Sequence, residues 1–484
     1  MWKENYADCL QYIDKYWEKI IYKPSRMKLH HQINNLPYEL PYADKMPLLN
    51  NRVVTKKDIN PTSIKLPHYY FVPNDNKFTY IYYWDSYFMF RGLMGTRREW
   101  LMKEMVENFI YLFETFHIVP NFSAPASIGR SQPPFLSSMI LDTYLKRLNP
   151  TNPYKSVKGM NKKWYELSMK KWLKDAMEVA KKEYELVWID PAGAYNHSVK
   201  GYTLSRYGDR DIGYAHSSEL ESGWDMTSRF YNRCDQFLPI DLNSYLYKYE
   251  KDFAKSALIL GKREEAELWE DKADQRQKEI RKYMWDNDEG FYYDYGYGFQ
   301  KIGHYFSLAS FTPLWAGYAT PGEAKRMVKH LDKFETPYGL TIGSKMSLAK
   351  PIDLSKIQRR YHPAIEDIIK PKQWDYPNIW SPLEYLTVIG LLRYGFVADA
   401  KRIMTNSVKA HAAAFRKYGT FFEKLNGETG ETGKGAQYVD QQGFGWTNAA
   451  FFRYIQILDA LENGQNIYNT DVSQDPPHDL AILH

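Results

Sequence analysis

Residues Leu383-Glu384-Tyr385-Leu386-Thr387-Val388-Ile389-Gly390-Leu391-Leu392 carry apolar side chains on more than one side of a helix, whereas residues 263–282 keep a helical period but are strongly charged. A helix of the first kind needs cover all round, and one of the second kind needs it on a single stripe. Apolar residues at i, i+3, i+4 and i+7 predict helices at 100–115, 162–186, 242–260, 263–283, 321–330, 383–394, 398–417 and 447–461. Most come in pairs. The helices 242–260 and 263–283 are separated only by Gly261 and its neighbour, a stop signal that turns the chain back as an antiparallel hairpin. One member of each successive pair tends to be apolar all round and the other charged, which implies an inner and an outer ring of helices. Roughly five or six such hairpins suggest an all-α chain closed as an α/α toroid, with an open solenoid as the alternative.

The 484 residues, 44% of them hydrophobic, suffice for one very large domain or a few ordinary ones. No linker separates independent domains. The expected organisation is an N-terminal helix and extended segment over 1–76 packed on the toroid, the toroid itself over 77–465, and a tail over 466–484. Long irregular stretches at 28–76, 192–219 and 345–372, rich in Tyr, His, Arg and Pro, predict lids over the toroid's mouth. The net charge of +6 is scattered rather than gathered in a stripe, which speaks against nucleic-acid binding. Cys9 and Cys234 lie far apart and indicate neither a zinc site nor a disulfide framework. Residues 1–19 mix acids, lysines and aromatics without an apolar signal region, and no window nears 18 uninterrupted apolar residues. The expectation is a cytoplasmic protein that does not engage a membrane.

Aromatic residues make up 16% of the chain, with 41 Tyr and 14 Trp, a composition suited to a cleft lined with stacking surfaces. For any single Tyr the competing reading is core filler. Four Trp-centred turns stand out: Tyr83-Trp84-Asp85, Glu221-Ser222-Gly223-Trp224-Asp225, Gln373-Trp374-Asp375 and Gly443-Phe444-Gly445-Trp446, each expected just before an amphipathic helix. A core Trp needs no neighbouring acid. An indole beside a carboxylate can hold a sugar, because C–H faces stack on the ring while hydroxyls donate to the acid. Hydrolysis of a glycosidic bond usually needs two carboxyl groups, one protonated and one ionised. Asp225, Glu423, Asp85 and Asp375 lie near aromatics and qualify.

Blander readings compete. Asp225 would serve as an N-cap of a following helix. Glu423, flanked by Phe421 and Phe422, would form a buried structural pair with Lys424. The run 286–290 superficially resembles a calcium loop, but the strand-like 291–295 that follows predicts a β-hairpin turn and no metal. The Gly-rich run 427–435 lacks the strand, helix and spacing of a phosphate loop and reads as a flexible lid.

Taken in order, Tyr82-Tyr83-Trp84-Asp85-Ser86-Tyr87, Arg130-Ser131-Gln132-Pro133-Pro134, Ser222-Gly223-Trp224-Asp225, Asp241-Leu242-Asn243-Ser244, Gln373-Trp374-Asp375-Tyr376-Pro377-Asn378, Glu423-Lys424 and Gly443-Phe444-Gly445-Trp446-Thr447-Asn448 resemble the serial motifs of the trehalase family, glycoside hydrolase family 37. The match runs from about residue 78 to residue 461. The resemblance implies an (α/α)6 toroid with minor β-hairpins and an inverting mechanism. By the same resemblance Asp225 is the general acid and Glu423 the general base. Trp84 and Asp85 match the pair that holds the released glucose, and Asn121, Arg130 and Gln132 match further substrate contacts. Trp374, Asp375 and Trp446 would complete an aromatic wall, with Tyr83, Trp224, Gln373, Trp380 and Phe444 also counted as substrate-binding. No metal or organic cofactor is required, the partner is a small sugar, and oligomeric state is left open.

The departures bear on specificity. Lys77-Phe78-Thr79-Tyr80 stands where the family has Arg-Phe-Arg-Glu, Phe122-Ser123-Ala124 replaces Gly-Asn-Arg, the Arg-Pro-Glu-Ser segment is missing, and Gln437 takes the place of an acid. A planar guanidinium fork is not replaced by Lys or Ser without a change of geometry. The first expectation is an inverting α-glycosidase acting on trehalose or a related small α-glucoside. The first alternative is a hydrolase of mannosylglycerate- or glucosylglycerate-type solutes, with Arg359, Arg360, Tyr361 and His362 clamping the glycerate carboxylate. The second is an inactive carbohydrate-binding protein, against which the retention of both Asp225 and Glu423 speaks.

Overall fold

A computed structural model describes residues 1–24, 63–148, 162–208, 215–349, 371–433, 438 and 440–465. The expected carboxylate clamp, Arg359, Arg360, Tyr361 and His362, and the departure at Gln437 lie outside the described residues. Packing of the backbone divides the chain into two compact units. The first comprises Met1–Lys19, Tyr214–Ser244 and Gln277–His484, and the second Ile20–Gly213 and Tyr245–Arg276. Among the described residues the strands are all two residues long and form small antiparallel ladders.

In the first unit the predicted helix 383–394 is Ser381–Arg393, opened by Pro382 in its first turn and buried at every residue. Its partner Val397–Tyr418 buries one stripe, Ala400, Ile403, Met404, Ser407, Val408, Ala410, His411, Ala412 and Ala414, and keeps its charges outside. Gly445–Glu462 packs on both. The short helix Thr312–Ala316 crosses Ser381–Arg393 at Gly390, where a Cβ would stand 2.7 Å from Leu314 Cβ and 2.8 Å from the Trp315 amide nitrogen. A mid-helix glycine costs roughly 0.5–1 kcal/mol. Here it admits a neighbouring backbone that no other residue would allow. The N-terminal helix Ala7–Ile20 is tied to the same unit through Tyr12, whose hydroxyl meets Thr420 Oγ1 at 2.9 Å, and through Asp8, which accepts from Arg416 Nε at 3.0 Å.

The second unit is built on Leu101–Phe116, Leu136–Leu148 and Lys162–Glu183, which pack pairwise. Lys162–Glu183 runs on into one wide π-helical turn, Tyr184–Trp188. Periodicity misses two helices here, Leu136–Leu148 and Tyr83–Arg91. All nine residues of Tyr83–Arg91 are buried, so it has no polar face from which a 3.6-residue period can be read. The pair Ile240–Ile259 and Arg263–Met284 turns at Gly261, as expected.

Four local expectations are corrected. Trp84 and Trp446 lie inside the first turns of Tyr83–Arg91 and Gly445–Glu462 rather than before a helix. Trp374 precedes the strand Asn378–Ile379, and only then comes Ser381–Arg393. Asp225 leads into turns through 228–232 and a 3-10 turn, Cys234–Gln236, so it has no helix to cap. Residues 215–219 and 345–349, expected to be irregular, fall in the helices Ala215–Glu221 and Lys345–Ala349. The run 286–290 is the predicted hairpin turn, between Trp285–Asp286 and Phe291–Tyr292, and Asp286 Oδ1 accepts from the amides of Asp288 and Glu289, each at 2.9 Å.

Candidate active site

Four indoles in the first unit form one layer. Trp374 and Trp380 stack with centroids 3.8 Å apart and planes 8° from parallel, Trp224 leans on Trp374 at 5.6 Å, and Trp446 stands edge-on to Trp380 at 5.8 Å and to Trp374 at 6.3 Å. Phe444 extends it, 4.5 Å from Trp446. Edge-to-face contacts of this kind satisfy the ring quadrupoles and define one geometry. The polar edges of the layer hold backbone. Trp380 Nε1 donates to Gln373 O at 2.8 Å, Trp446 Nε1 donates to Glu423 O at 3.0 Å, and the Trp374 amide donates to Met226 O at 3.0 Å. Sequence segments around 224, 373 and 423 are thereby fastened to a single aromatic cluster.

Glu423 enters from the segment before Leu425–Asn426, which pairs antiparallel with Asn378–Ile379. Its Oε1 accepts from Tyr438 OH at 2.8 Å and its Oε2 from Lys424 Nζ at 3.1 Å. Lys424 also donates to Asp440 Oδ1 at 2.9 Å and lies 5.0 Å over the Trp380 ring. The expected Glu423–Lys424 pair is present, but it is not a neutral pair, because one buried ammonium serves two carboxylates. Burial pushes the Glu423 carboxyl above its ordinary value, Lys424 and the Tyr438 hydrogen bond pull it down, and Asp440 adds to the rise. The outcome is a carboxylate of increased basicity, held at both oxygens.

Asp225 is partly exposed at the end of a tight turn. Gly223 takes φ +76°, a conformation glycine adopts without cost, and Ser222 Oγ accepts from the Trp224 amide at 3.1 Å, so the chain delivers Trp224 inward. Beneath Trp224 lies Arg229, its guanidinium 4.6 Å from the ring. Arg229 is wholly buried and grips two acids, Asp241 at 2.8 and 2.9 Å and Asp294 through two bonds of 2.7 Å. Asp375 holds the next stretch. Its Oδ1 accepts from Thr227 Oγ1 at 3.1 Å, the Ser228 amide at 2.8 Å and Tyr305 OH at 3.0 Å, and its Oδ2 from Ser228 Oγ at 2.6 Å and the Lys372 amide at 2.8 Å. Five protein donors make this carboxylate an organiser of the turn after Asp225.

Gln373 differs from its neighbours. Its side chain is fully buried, and neither amide atom has a hydrogen-bond partner among the described residues. An unsatisfied buried amide costs roughly 1–3 kcal/mol, an arrangement suited to a site that receives polar groups from outside the protein.

In the second unit the structure gathers Tyr83, Trp84, Asp85, Asn121, Arg130 and Gln132. The Trp84 amide, an orphan donor at a helix start, is accepted by Gln132 Oε1 at 3.1 Å. The Tyr83 amide donates to Asn121 O at 3.1 Å, the Asn121 amide to Arg130 O at 2.8 Å, and Asn121 Nδ2 to Ser131 O at 2.9 Å. Trp84 and Asp85 are almost wholly buried and Arg130 is half-buried. The Tyr83 ring is fully buried and its hydroxyl donates to Glu183 Oε1 at 2.8 Å and lies 2.8 Å from Tyr249 OH. Sequence reading did not single out Glu183, Glu219, Lys372, Tyr438 or Asp440. Arg229 and Asp241 stood in or beside the quoted motifs, without a role until the fold paired them.

Comparison with known proteins converges on one family. A trehalase family profile matches residues 11–459. The cytosolic neutral trehalase of Neurospora crassa is 30% identical over 470 residues, covering 81% of this chain and 58% of that protein. The chain thus spans a little over half the length of that curated relative. The structure of the neutral trehalase of Saccharomyces cerevisiae matches with a TM-score of 0.71 at 23% identity, over 93% of this chain and 94% of that one. A family 63 mannosylglycerate hydrolase from Thermus thermophilus, solved with glucose, matches with a TM-score of 0.56 at 18% identity, over 79% of this chain and 95% of that one. The fold class is the all-α (α/α)6 toroid of these glycosidases. With the family profile running across nearly the whole length and the Trp-acid motifs standing in the family's order, this chain belongs to the trehalase family.

Proposed function

We propose that this chain is an inverting α-glycoside hydrolase acting on trehalose or a closely related α-glucoside, with Asp225 as general acid and Glu423 as general base. The observation that carries the reading is the pair of acids attached to one indole layer, Asp225 directly after Trp224 and Glu423 through Trp446 Nε1. Family membership and the trehalase names of the relatives support it. A cytosolic setting, that of the Neurospora relative, goes with it.

In this reaction Asp225 protonates the interglycosidic oxygen while Glu423 takes a proton from water on the opposite face of the sugar. Lys424 and Tyr438 fix the carboxylate of Glu423, and burial makes it a better base than a solvated glutamate. An inverting pair needs room for the water, with carboxyls about 6.5–9.5 Å apart in the closed complex. Gln373 supplies a donor and an acceptor to sugar hydroxyls.

The test is time-resolved NMR of trehalose and a glycosyl-glycerate incubated with the full chain. One equivalent of β-glucose from trehalose, appearing ahead of mutarotation, supports the reading. Release of α-glucose alone would refute inversion, and release from the glycosyl-glycerate alone would move the substrate to the charged class.

A further inference from the structure

Glu219 lies in the helix Ala215–Glu221, is buried, and has no part in the motifs that carry the family resemblance. Its Oε1 accepts from the Thr227 amide at 2.6 Å. Thr227 stands two residues after Asp225, and its other polar atoms are also taken: Oγ1 donates to Asp375 Oδ1 at 3.1 Å and O accepts from Lys372 Nζ at 3.1 Å. One residue of the turn is thus held at three atoms. Two of the holders, Lys372 and Asp375, come from the segment that contributes Trp374 to the indole layer. The third is Glu219, from the segment on the other side of Asp225.

We propose that Glu219 is a positioning residue for the hydrolysis, acting through the Thr227 amide to hold the turn that carries Asp225; this rests on the assignment of Asp225 as general acid. The groups that act on Glu219 sharpen what it must be. Asp225 and Asp375 face it with like charge, Lys372 with opposite charge, and the buried Cys234 thiol is also nearby. Three carboxyls share one ammonium. Burial first, then Asp375 and Asp225, raise the Glu219 carboxyl to about 8 against the pull of Lys372 and the Thr227 amide. At neutral pH Glu219 therefore keeps its proton. It accepts from Thr227 without adding charge beside Asp225, and a glutamine has the same shape and the same acceptor.

The test compares Glu219→Gln with Glu219→Met in the full chain, trehalose as substrate, with thermal melting as the folding control. Glutamine should hold kcat within about 3-fold of the parent at pH 7, whereas methionine, which fills the volume but cannot accept, should lower kcat about 10- to 100-fold with KM changed less than about 3-fold. Parent-like kcat in Glu219→Met, or equal impairment of the two variants, would overturn the proposal. Should Glu219→Met fail to fold, the pH profile of Glu219→Gln decides. Above about pH 8 the parent gains a negative charge that helps Asp225 keep its proton, so the parent-to-Gln activity ratio should rise there from near 1. A flat ratio to about pH 9 would overturn the proposal. Asp225→Asn separates the two levels: full turnover there would remove the acid assignment itself, while an inactive Asp225→Asn beside a parent-like Glu219→Met would remove only the role of Glu219.

Discussion

Glu183 and Glu219 are both buried carboxyls tied to a Trp-Asp motif, one in each unit, and they are kept by opposite means. Glu183 sits among neutral donors: Tyr83 OH at 2.8 Å, Tyr249 OH at 2.9 Å and Trp188 Nε1 at 3.4 Å. Burial raises it to about 7 against those three hydrogen bonds, and no charged group contributes. Glu219 has a single amide donor and three charged neighbours. A proton moving on Glu183 is felt by the folded state alone, whereas a proton moving on Glu219 is felt by Asp225. The same residue type, buried in both units, is thus held by neutral donors in one and among charged groups in the other.

The widest expected separation is in turnover. Asp225→Asn and Glu423→Gln should each lower kcat by at least about 10²–10⁴ with the fold retained, as removal of a general acid or base commonly does. Glu183→Gln should stay within a few-fold of the parent. Steady-state kinetics on the three purified variants checks this, and a comparable loss in Glu183→Gln would erase the contrast between the units.

A second comparison asks whether charge in the first unit is structural as well as chemical. Arg229→Met leaves Asp241 and Asp294 buried together without their guanidinium, and breaking a buried ion pair from one side costs about 3–5 kcal/mol. Urea unfolding at pH 7 measures it. A loss under about 1 kcal/mol would show that the two carboxyls simply take up a proton instead.

The smallest effect is a pH dependence in the second unit. Because Glu183 holds its proton more tightly folded than unfolded, its contribution to stability is complete below the ordinary carboxylate range and is lost as pH rises through about 7. Between pH 5 and 8 the parent should lose up to about 3 kcal/mol that Glu183→Gln does not lose. Parallel stability curves for the two proteins would place the titration elsewhere.

What could be read from the residues follows from where each one gets its neighbours. Ser381–Arg393 and Val397–Tyr418 were legible because an all-apolar helix beside a striped one leaves a period in the chain. Tyr83–Arg91 was not, since burial on every side removes the contrast. The turn after Asp225 carries no signal either: Tyr231 and Asn232 both adopt positive φ, 51° and 58°, where neither glycine nor any motif marks it. The acids beside Trp stood out as candidates because aromatic and carboxylate adjoin in sequence. Glu219 and Lys372 were not, because the turn that unites them joins residues some 145 positions apart.

Lys424 has a consequence of another kind. Its ammonium is enclosed between Glu423, Asp440 and the face of Trp380, with no side-chain surface open to solvent. Mobile ions screen charges they can approach, over about 8 Å at physiological ionic strength, and the Lys424 ammonium offers them no surface. The affinity of Glu423 for its proton is therefore set by fixed partners rather than by the surrounding electrolyte. A carboxylate built in this way should keep its proton affinity as ionic strength changes, the very condition under which surface charges on the same molecule lose theirs.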